Sequence, residues 1–167
     1  RVAENINESL VENSFYWLSD SKSIIYASVP ENKPALIDEN ALPEGPSVQE
    51  TKGVKSTVQT CQDLLKNPAD ERRFEHFATS QFVKVNLDGL SQVIGNPAII
   101  TGFSISPDNK YLLVAQVVRP FSYTVPFDNF PTTFEIWNLE GSCVKRLAEI
   151  PLTEDIPLGF SATRKGP

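Results

Sequence analysis

Phe103-Ser104-Ile105-Ser106-Pro107-Asp108-Asn109-Lys110-Tyr111-Leu112-Leu113-Val114 is the stretch on which the fold turns. Phe103 and Ile105 alternate with Ser104 and Ser106, the period of a half-buried strand. Ser106-Pro107-Asp108-Asn109-Lys110 then supplies turn chemistry: proline presets φ at the second turn position, and Asp and Asn accept tight and left-handed positions. Tyr111 to Val118 is rich in β-branched and large apolar residues and predicts the next strand. A weaker copy runs from Phe15 to Tyr26. There Trp17 stands for Ile105, Ser19-Asp20-Ser21-Lys22 for the turn, and Ile24-Ile25-Tyr26 for the following strand.

Outward from these hairpins, the pattern stays mostly β. Strands are expected near 14–19, 23–29, 80–87, 91–95, 99–106, 111–118, 133–139 and 143–150, with Asp88-Gly89 and Glu140-Gly141 as hairpin turns. Residues 1–12 predict a short helix or an edge strand, and residues 30–56 an exposed connection broken by proline and glycine. The helical signal lies at 56–78. Ser56 and Gln59 form a capping box opening a helix to Asn67, with Val58, Cys61, Leu64 and Leu65 on one face. Pro68 then starts a second helix, Asp70 and Glu71 complement its dipole, and Phe74, Phe77 and Ala78 make an apolar stripe.

Composition sets the class. The chain has 167 residues, enough for one domain, with 40% hydrophobic and 22% charged residues, which is globular. A net charge of -6 with scattered Lys and Arg argues against nucleic acid. No apolar run approaches the ~20 residues of a membrane span. A chain that starts at Arg1 reads as a processed protein or a piece of one. Cys61 and Cys143 read as ordinary buried thiols rather than a disulfide. With one histidine, no Cys/His zinc set can be assembled, and neither metal nor cofactor is expected.

Asp20 and Asp108 lie 88 residues apart. Setting aside 30–79 as an insertion leaves a spacing close to one four-stranded β-propeller blade of about 40–45 residues. The expected architecture is therefore mainly β. It comprises about two four-stranded blades, one near 14–95 with the helical-hairpin insertion, one near 99–150, with 151–167 leading onward. Two blades cannot close a ring, and their open edges invite pairing with another chain.

The run Thr60-Cys61-Gln62-Asp63-Leu64-Leu65-Lys66-Asn67-Pro68, with Asp70-Glu71 and Phe74 to Gln81, resembles the propeller region of prolyl-oligopeptidase-type serine peptidases, in the glutamyl endopeptidase branch. So do Ser106 to Val114, the loop Arg119-Pro120-Phe121-Ser122-Tyr123 with Val125-Pro126, and Ile136-Trp137-Asn138-Leu139-Glu140-Gly141. The resemblance covers about residues 42–160. It implies a larger parent in which a C-terminal α/β-hydrolase domain carries a Ser-Asp-His triad and the propeller restricts which peptides enter. It also implies a periplasmic or secreted location in a bacterium, or the chloroplast stroma in a plant. Asn109, where glycine is usual, and Cys61, where an aromatic is common, depart from the pattern.

No catalytic residue is expected in this chain. A hydrolase elbow needs Gly-x-Ser-x-Gly, and Gly102-Phe103-Ser104-Ile105-Ser106 and Gly159-Phe160-Ser161-Ala162-Thr163 both fail at the last position. His76 reads as a surface or partly packed histidine. Asp70, Glu71 and Glu75 read as helix electrostatics and a solvated face, with Arg72 and Arg73 as their partners. Arg119 and Tyr123 are the candidate substrate contacts, because Arg119 can hold a peptide carboxylate bidentately. In the blander reading Phe121, Tyr123, Phe127 and Phe130 pack their loop on a neighbouring blade while Arg119 bonds backbone carbonyls. At the level of the whole protein the alternative to a peptidase is an interaction scaffold built from propeller blades alone.

Overall fold

In the computed structural model, residues 3–11, 13–36 and 64–154 are described. The two turns predicted as copies have the same geometry. The Asn109 N–H donates to the Ser106 carbonyl at 2.8 Å, and the Ser106 N–H to the Tyr111 carbonyl at 2.9 Å. In the first hairpin the Ser21 N–H donates to the Leu18 carbonyl at 3.1 Å, and the Leu18 N–H to the Ser23 carbonyl at 2.9 Å. Asn109 and Ser21 occupy the same left-handed position, with φ of 55° and 54°. Asparagine visits that region because its short amide bonds locally, so it serves where glycine is usual. The turns also touch: the Asn109 amide bonds the Ser19 hydroxyl and accepts the Ser19 N–H at 3.4 Å.

The strands are β1 (Phe15–Trp17), β2 (Ser23–Ser28), β3 (Thr79–Asn86), β4 (Ser91–Ile105), β5 (Tyr111–Val117), β6 (Thr132–Asn138) and β7 (Cys143–Ile150). A helix, α1 (Pro68–Ala78), precedes β3, and a 3-10 turn covers Phe127–Asn129. The strands form one antiparallel sheet in chain order, curled into a half-barrel. Eight strands are expected, and among the described residues seven are found, because 91–95 and 99–106 run together as β4.

The reason lies in the pairing of β4. Ser91 to Ile94, and then Ala98 and Ile99, pair with β3, Phe82 opposite Ile94, and Ile99 to Ile105 pair with β5, Phe103 opposite Val114. Between Ile94 and Ala98 it leaves the β3 ladder, which also steps between Phe82 and Ser80. Pro97 falls in this gap, where a missing N–H costs no ladder bond. The Gln81 amide donates to the Gly95 carbonyl at 2.8 Å and bridges it.

Two apolar clusters use the two faces of the sheet. The larger joins Ile25, Ala27, Phe82, Ile94, Ile100, Phe103, Leu112, Val114 and Trp137. Tyr16 and Phe82 both pack on the Phe103 ring, at 4.9 and 4.6 Å between centroids. The smaller joins Ala78, Ile99, Val117 and Phe130, flanked by Phe74 and Phe121. Ile99 and Ile100 are adjacent in β4 yet belong to different clusters, as strand alternation requires.

Several expectations need correction. Leu64 to Lys66, the end of the predicted helix 56–67, are not helical, and the rest of that helix lies outside the described residues. In the N-terminal segment, residues 3–11 form neither a helix nor a strand. It joins the sheet through a single bridge, Ile6 to Ser28. Cys143 is exposed rather than buried, because it opens the edge strand β7, while Cys61 lies outside the described residues. Phe77 is 62% exposed, so the inward stripe of α1 is Phe74 and Ala78.

Candidate functional site

Helix α1 is fixed at both ends. Asn67 caps its start by accepting the Asp70 N–H at 2.9 Å, with Pro68 in the first turn as expected. Its C-terminal end is held from the other side of the chain. The buried Asn7 amide donates to the Phe77 and Thr79 carbonyls at 3.3 and 3.0 Å, and the Ser9 hydroxyl to Phe77 at 3.1 Å. Asn7-Glu8-Ser9, which has the form of a glycosylation acceptor, is thereby committed to structure.

The loop from Arg119 to Pro131 folds onto α1 rather than onto a neighbouring blade. Phe74 meets Phe121 and Phe130 edge-on at 5.2 and 5.8 Å, and Phe121 stacks on Phe130 at 5.3 Å. Arg119 lies over the Phe121 ring at 4.6 Å and begins the loop with a cis bond to Pro120. Its guanidinium bonds carboxylates and not backbone carbonyls. Arg119 Nε donates to Glu75 at 2.8 Å and Nη1 to Glu71 at 2.7 Å. The Tyr123 hydroxyl donates to the other Glu71 oxygen at 2.7 Å. Glu71 and Glu75 are therefore not a solvated face: one helical turn apart, they form a fork that receives Arg119. Arg73 does pair within the helix, with Asp70 at 3.9 Å.

These contacts set the charges. The Tyr123 hydroxyl, then Arg119, hold the Glu71 carboxyl below its usual range. Glu75 and Glu71 raise Arg119, and the Glu71 carboxylate raises the Tyr123 phenol. The structure thus brings Arg119 and Tyr123 together, as two donors on one acidic residue.

A cavity of about 390 Å³ opens beside this fork, lined by Glu75, Thr79, Pro97, Gln116, Arg119 and Phe121 among others. A second, of about 440 Å³, lies between residues 30–36 and α1 and shares Glu75, Thr79 and Pro97 with the first. Lys33, Arg72 and His76 also line it. Burial and the nearby Lys33 charge push the His76 imidazole down, and burial lowers the Lys33 ammonium. Lys33 lies in the stretch that the sequence marks only as an exposed connection, and no local pattern singles it out.

Glu135 was missed too. Buried on β6, it accepts from the Trp137 indole at 2.8 Å, from Arg146 at 2.9 Å and from the Gln116 amide at 3.2 Å. Burial pushes its carboxyl up, but Trp137 and Arg146 outweigh that and hold it low. Alternation along Thr133, Glu135 and Trp137 was the available signal. Ser104 lies mid-strand, paired with Leu113, and Gly159 to Thr163 lie outside the described residues. Among the described residues no three His, Cys, Asp or Glu side chains are grouped to hold a metal, and no helix is long and apolar enough to cross a membrane.

Among the described residues the chain is mainly β, with one helix bolted to a long aromatic loop beside an open groove. Its curated relatives are two proteins named "Probable glutamyl endopeptidase, chloroplastic". The one from Oryza sativa subsp. japonica is 40% identical over 156 residues, and the one from Arabidopsis thaliana 37% over 166. These matches cover 92% and 98% of this chain but only 16% and 17% of the relatives' length. They agree with the resemblance drawn from the motifs. No family model and no solved structure matches the chain.

Proposed function

We propose that this chain is the non-catalytic, substrate-facing β portion of a serine peptidase related to the glutamyl endopeptidases. In this reading its seven strands are about two blades of a β-propeller. A C-terminal α/β-hydrolase domain of the longer protein cleaves peptide bonds, and the chain gates and positions the peptide. The observation that carries the reading is similarity across 92–98% of this chain to a small part of two relatives bearing that name. The word "chloroplastic" in both names supports a chloroplast location.

Arg119 and Tyr123 fit such a path in a modified role. Two carboxylates already neutralise Arg119, so a substrate carboxylate would have to displace one of them. Among the described residues the second terminal nitrogen of Arg119 has no partner, and it suits a peptide carbonyl. The test is cleavage by the full-length protein of peptides differing only in Glu or Gln before the scissile bond. Efficient cleavage after Glu supports the reading. Absence of any peptide hydrolysis by a folded full-length protein overturns it and favours the scaffold alternative. In the same assay, Arg119→Ala is expected to raise KM and leave the Glu-over-Gln ratio unchanged.

A further inference from the structure

We propose that the cavity bounded by Leu10 to Tyr16, the second half of β4 and the 3-10 turn binds a primary ammonium group, the charged end of a lysine side chain or of a free peptide N-terminus. The inference goes beyond the peptidase reading and does not rest on it. The cavity holds about 370 Å³, within the common size of small-ligand sites. It opens where β4 changes partners. Thr101, Gly102 and Phe103 line it. They lie past the last β3 pair at Ile99, beside the step in the β5 ladder between Ile100 and Gly102. One side of the β4 backbone therefore has no strand partner there among the described residues.

The wall offers acceptors and aromatic rings. The Thr101 hydroxyl gives its proton to the Ala115 carbonyl at 3.3 Å, and the Thr132 hydroxyl gives its proton to the Phe130 carbonyl at 3.1 Å. What each has left for another partner is lone pairs. Asp128, at the exposed rim, adds a carboxylate. It has a contact of its own elsewhere in the molecule, but a carboxylate has about four lone-pair sites, and an ammonium joins as a further donor. Tyr16, Phe103 and Phe127 supply three rings, whose faces attract cations. The half-buried Tyr16 hydroxyl bonds no described residue. Among the described lining residues none is Lys, Arg or His. An anion would meet Asp128 and these lone pairs with no cation to balance it. A neutral donor would use the lone pairs and gain nothing from the charge or the rings. An ammonium brings three donors and one positive charge, and so uses all three features. The chain's charge of -6 draws cations to its whole surface, so the test has to separate this cavity from the general field.

The experiment titrates the 167-residue chain with three peptides. Ac-Ala-Met-Ala-NH2 has no ammonium, Ac-Ala-Lys-Ala-NH2 has one on its side chain, and Ala-Met-Ala-NH2 has one at its N-terminus. The amide NMR signal of Gly102 reports the cavity, and that of Gly89, in the β3–β4 turn, serves as the remote control. An ammonium peptide is expected to bind about tenfold tighter than the blocked Met peptide, the size of one charge-assisted contact, and to shift Gly102 and not Gly89. Asp128→Asn is expected to remove the preference. Asp88→Asn, the same loss of charge in the β3–β4 turn, is expected to leave it intact. Phe127→Leu, which keeps an apolar wall without the ring, is expected to cut the preference about threefold. Preference for the Lys peptide alone assigns the site to a side chain, and preference for the free N-terminus alone assigns it to a chain end; both uphold the ammonium. Equal binding of all three peptides overturns it, as does a preference that Asp128→Asn and Asp88→Asn weaken equally. If Asp128→Asn does not fold, a preference unchanged in Phe127→Leu overturns it instead. No binding of any probe overturns the cavity as a site. Peptide hydrolysis by the full-length protein is measured separately, so failure here leaves the peptidase reading standing.

Discussion

The two apolar clusters lie on opposite faces of one sheet and are built differently. The first is made mostly of strand residues, with only Val11 and Leu18 from outside the strands, and Phe82, Ile94, Ile100, Leu112 and Val114 are fully buried. The second takes its apolar groups from a helix, a loop and only two strand positions, Ile99 and Val117. Around its rim are polar clamps: Asn7 and Ser9 on the α1 end, and Arg119 and Tyr123 on Glu71 and Glu75. A ladder orders its own side chains, so the first cluster needs few accessories. A helix and a loop packed on a sheet face have no shared ladder, and directional bonds set their position.

The sharpest way to break this comparison is to empty each cluster in turn. Phe82→Ala and Phe130→Ala are each expected to cost about 3–5 kcal/mol, measured by urea unfolding. Their local effects should differ. Phe130→Ala should speed amide exchange in α1 more than in β2 and β3, and Phe82→Ala should speed it everywhere. Equal acceleration in α1 and β2 for both variants would make the clusters one unit.

Glycines sharpen it next. A Cβ at Gly141 would lie 2.0 Å from the Gly95 backbone, and φ there is +83°. Gly141→Ala is expected to cost more than about 2 kcal/mol, because a left-handed non-glycine residue and an overpacked contact are combined. Gly89, with φ +85° and open space around it, carries only the first penalty, about 1 kcal/mol on alanine substitution. Matching urea midpoints for the two variants would show that the β6–β7 turn does not bear on β4.

A smaller effect concerns acid. Both clusters have a carboxylate whose folded pKa is depressed, Glu135 by Trp137 and Arg146 and Glu71 by Tyr123 and Arg119. Their contribution is complete above the unfolded value of about 4.3 and is lost as pH falls through it toward the lower folded values. Stability measured between pH 7 and pH 3 should therefore fall on acidification, and less steeply in Glu135→Gln. An identical slope in that variant would remove Glu135 from the explanation.

The smallest expected effect is at the rim. Arg119 is half exposed, so Arg119→Ala is expected to cost under about 1 kcal/mol, and less in 1 M salt. A cost independent of salt would assign the role of Arg119 to its packing on Phe121.

The first cluster was largely legible because alternation reports a strand and its inward face together. Phe103 and Ile105, read as one apolar face, do meet the cluster, and both Asp-containing turns followed directly. The break between 95 and 99 was misread because glycine and proline signal a break, whether the chain ends a strand or only leaves one partner. The second cluster was half legible. The aromatics of 121–130 were evident, but whether they faced a blade or α1 depended on a contact more than 40 residues away, as with Arg119 and Glu71. Lys33 and Asn7 act only through such distant partners, and no local pattern marks them.

Strand β4 has a consequence for how the molecule comes apart. Ser91 to Ile94 belong to the ladder with β3, and Gly102 to Ile105 to the ladder with β5. Because one continuous backbone serves both, pulling either half of the sheet loads the other. The chain then resists force as a single spring rather than as two links, and Gly95 to Pro97, the longest stretch of β4 without a ladder partner, is where it bends.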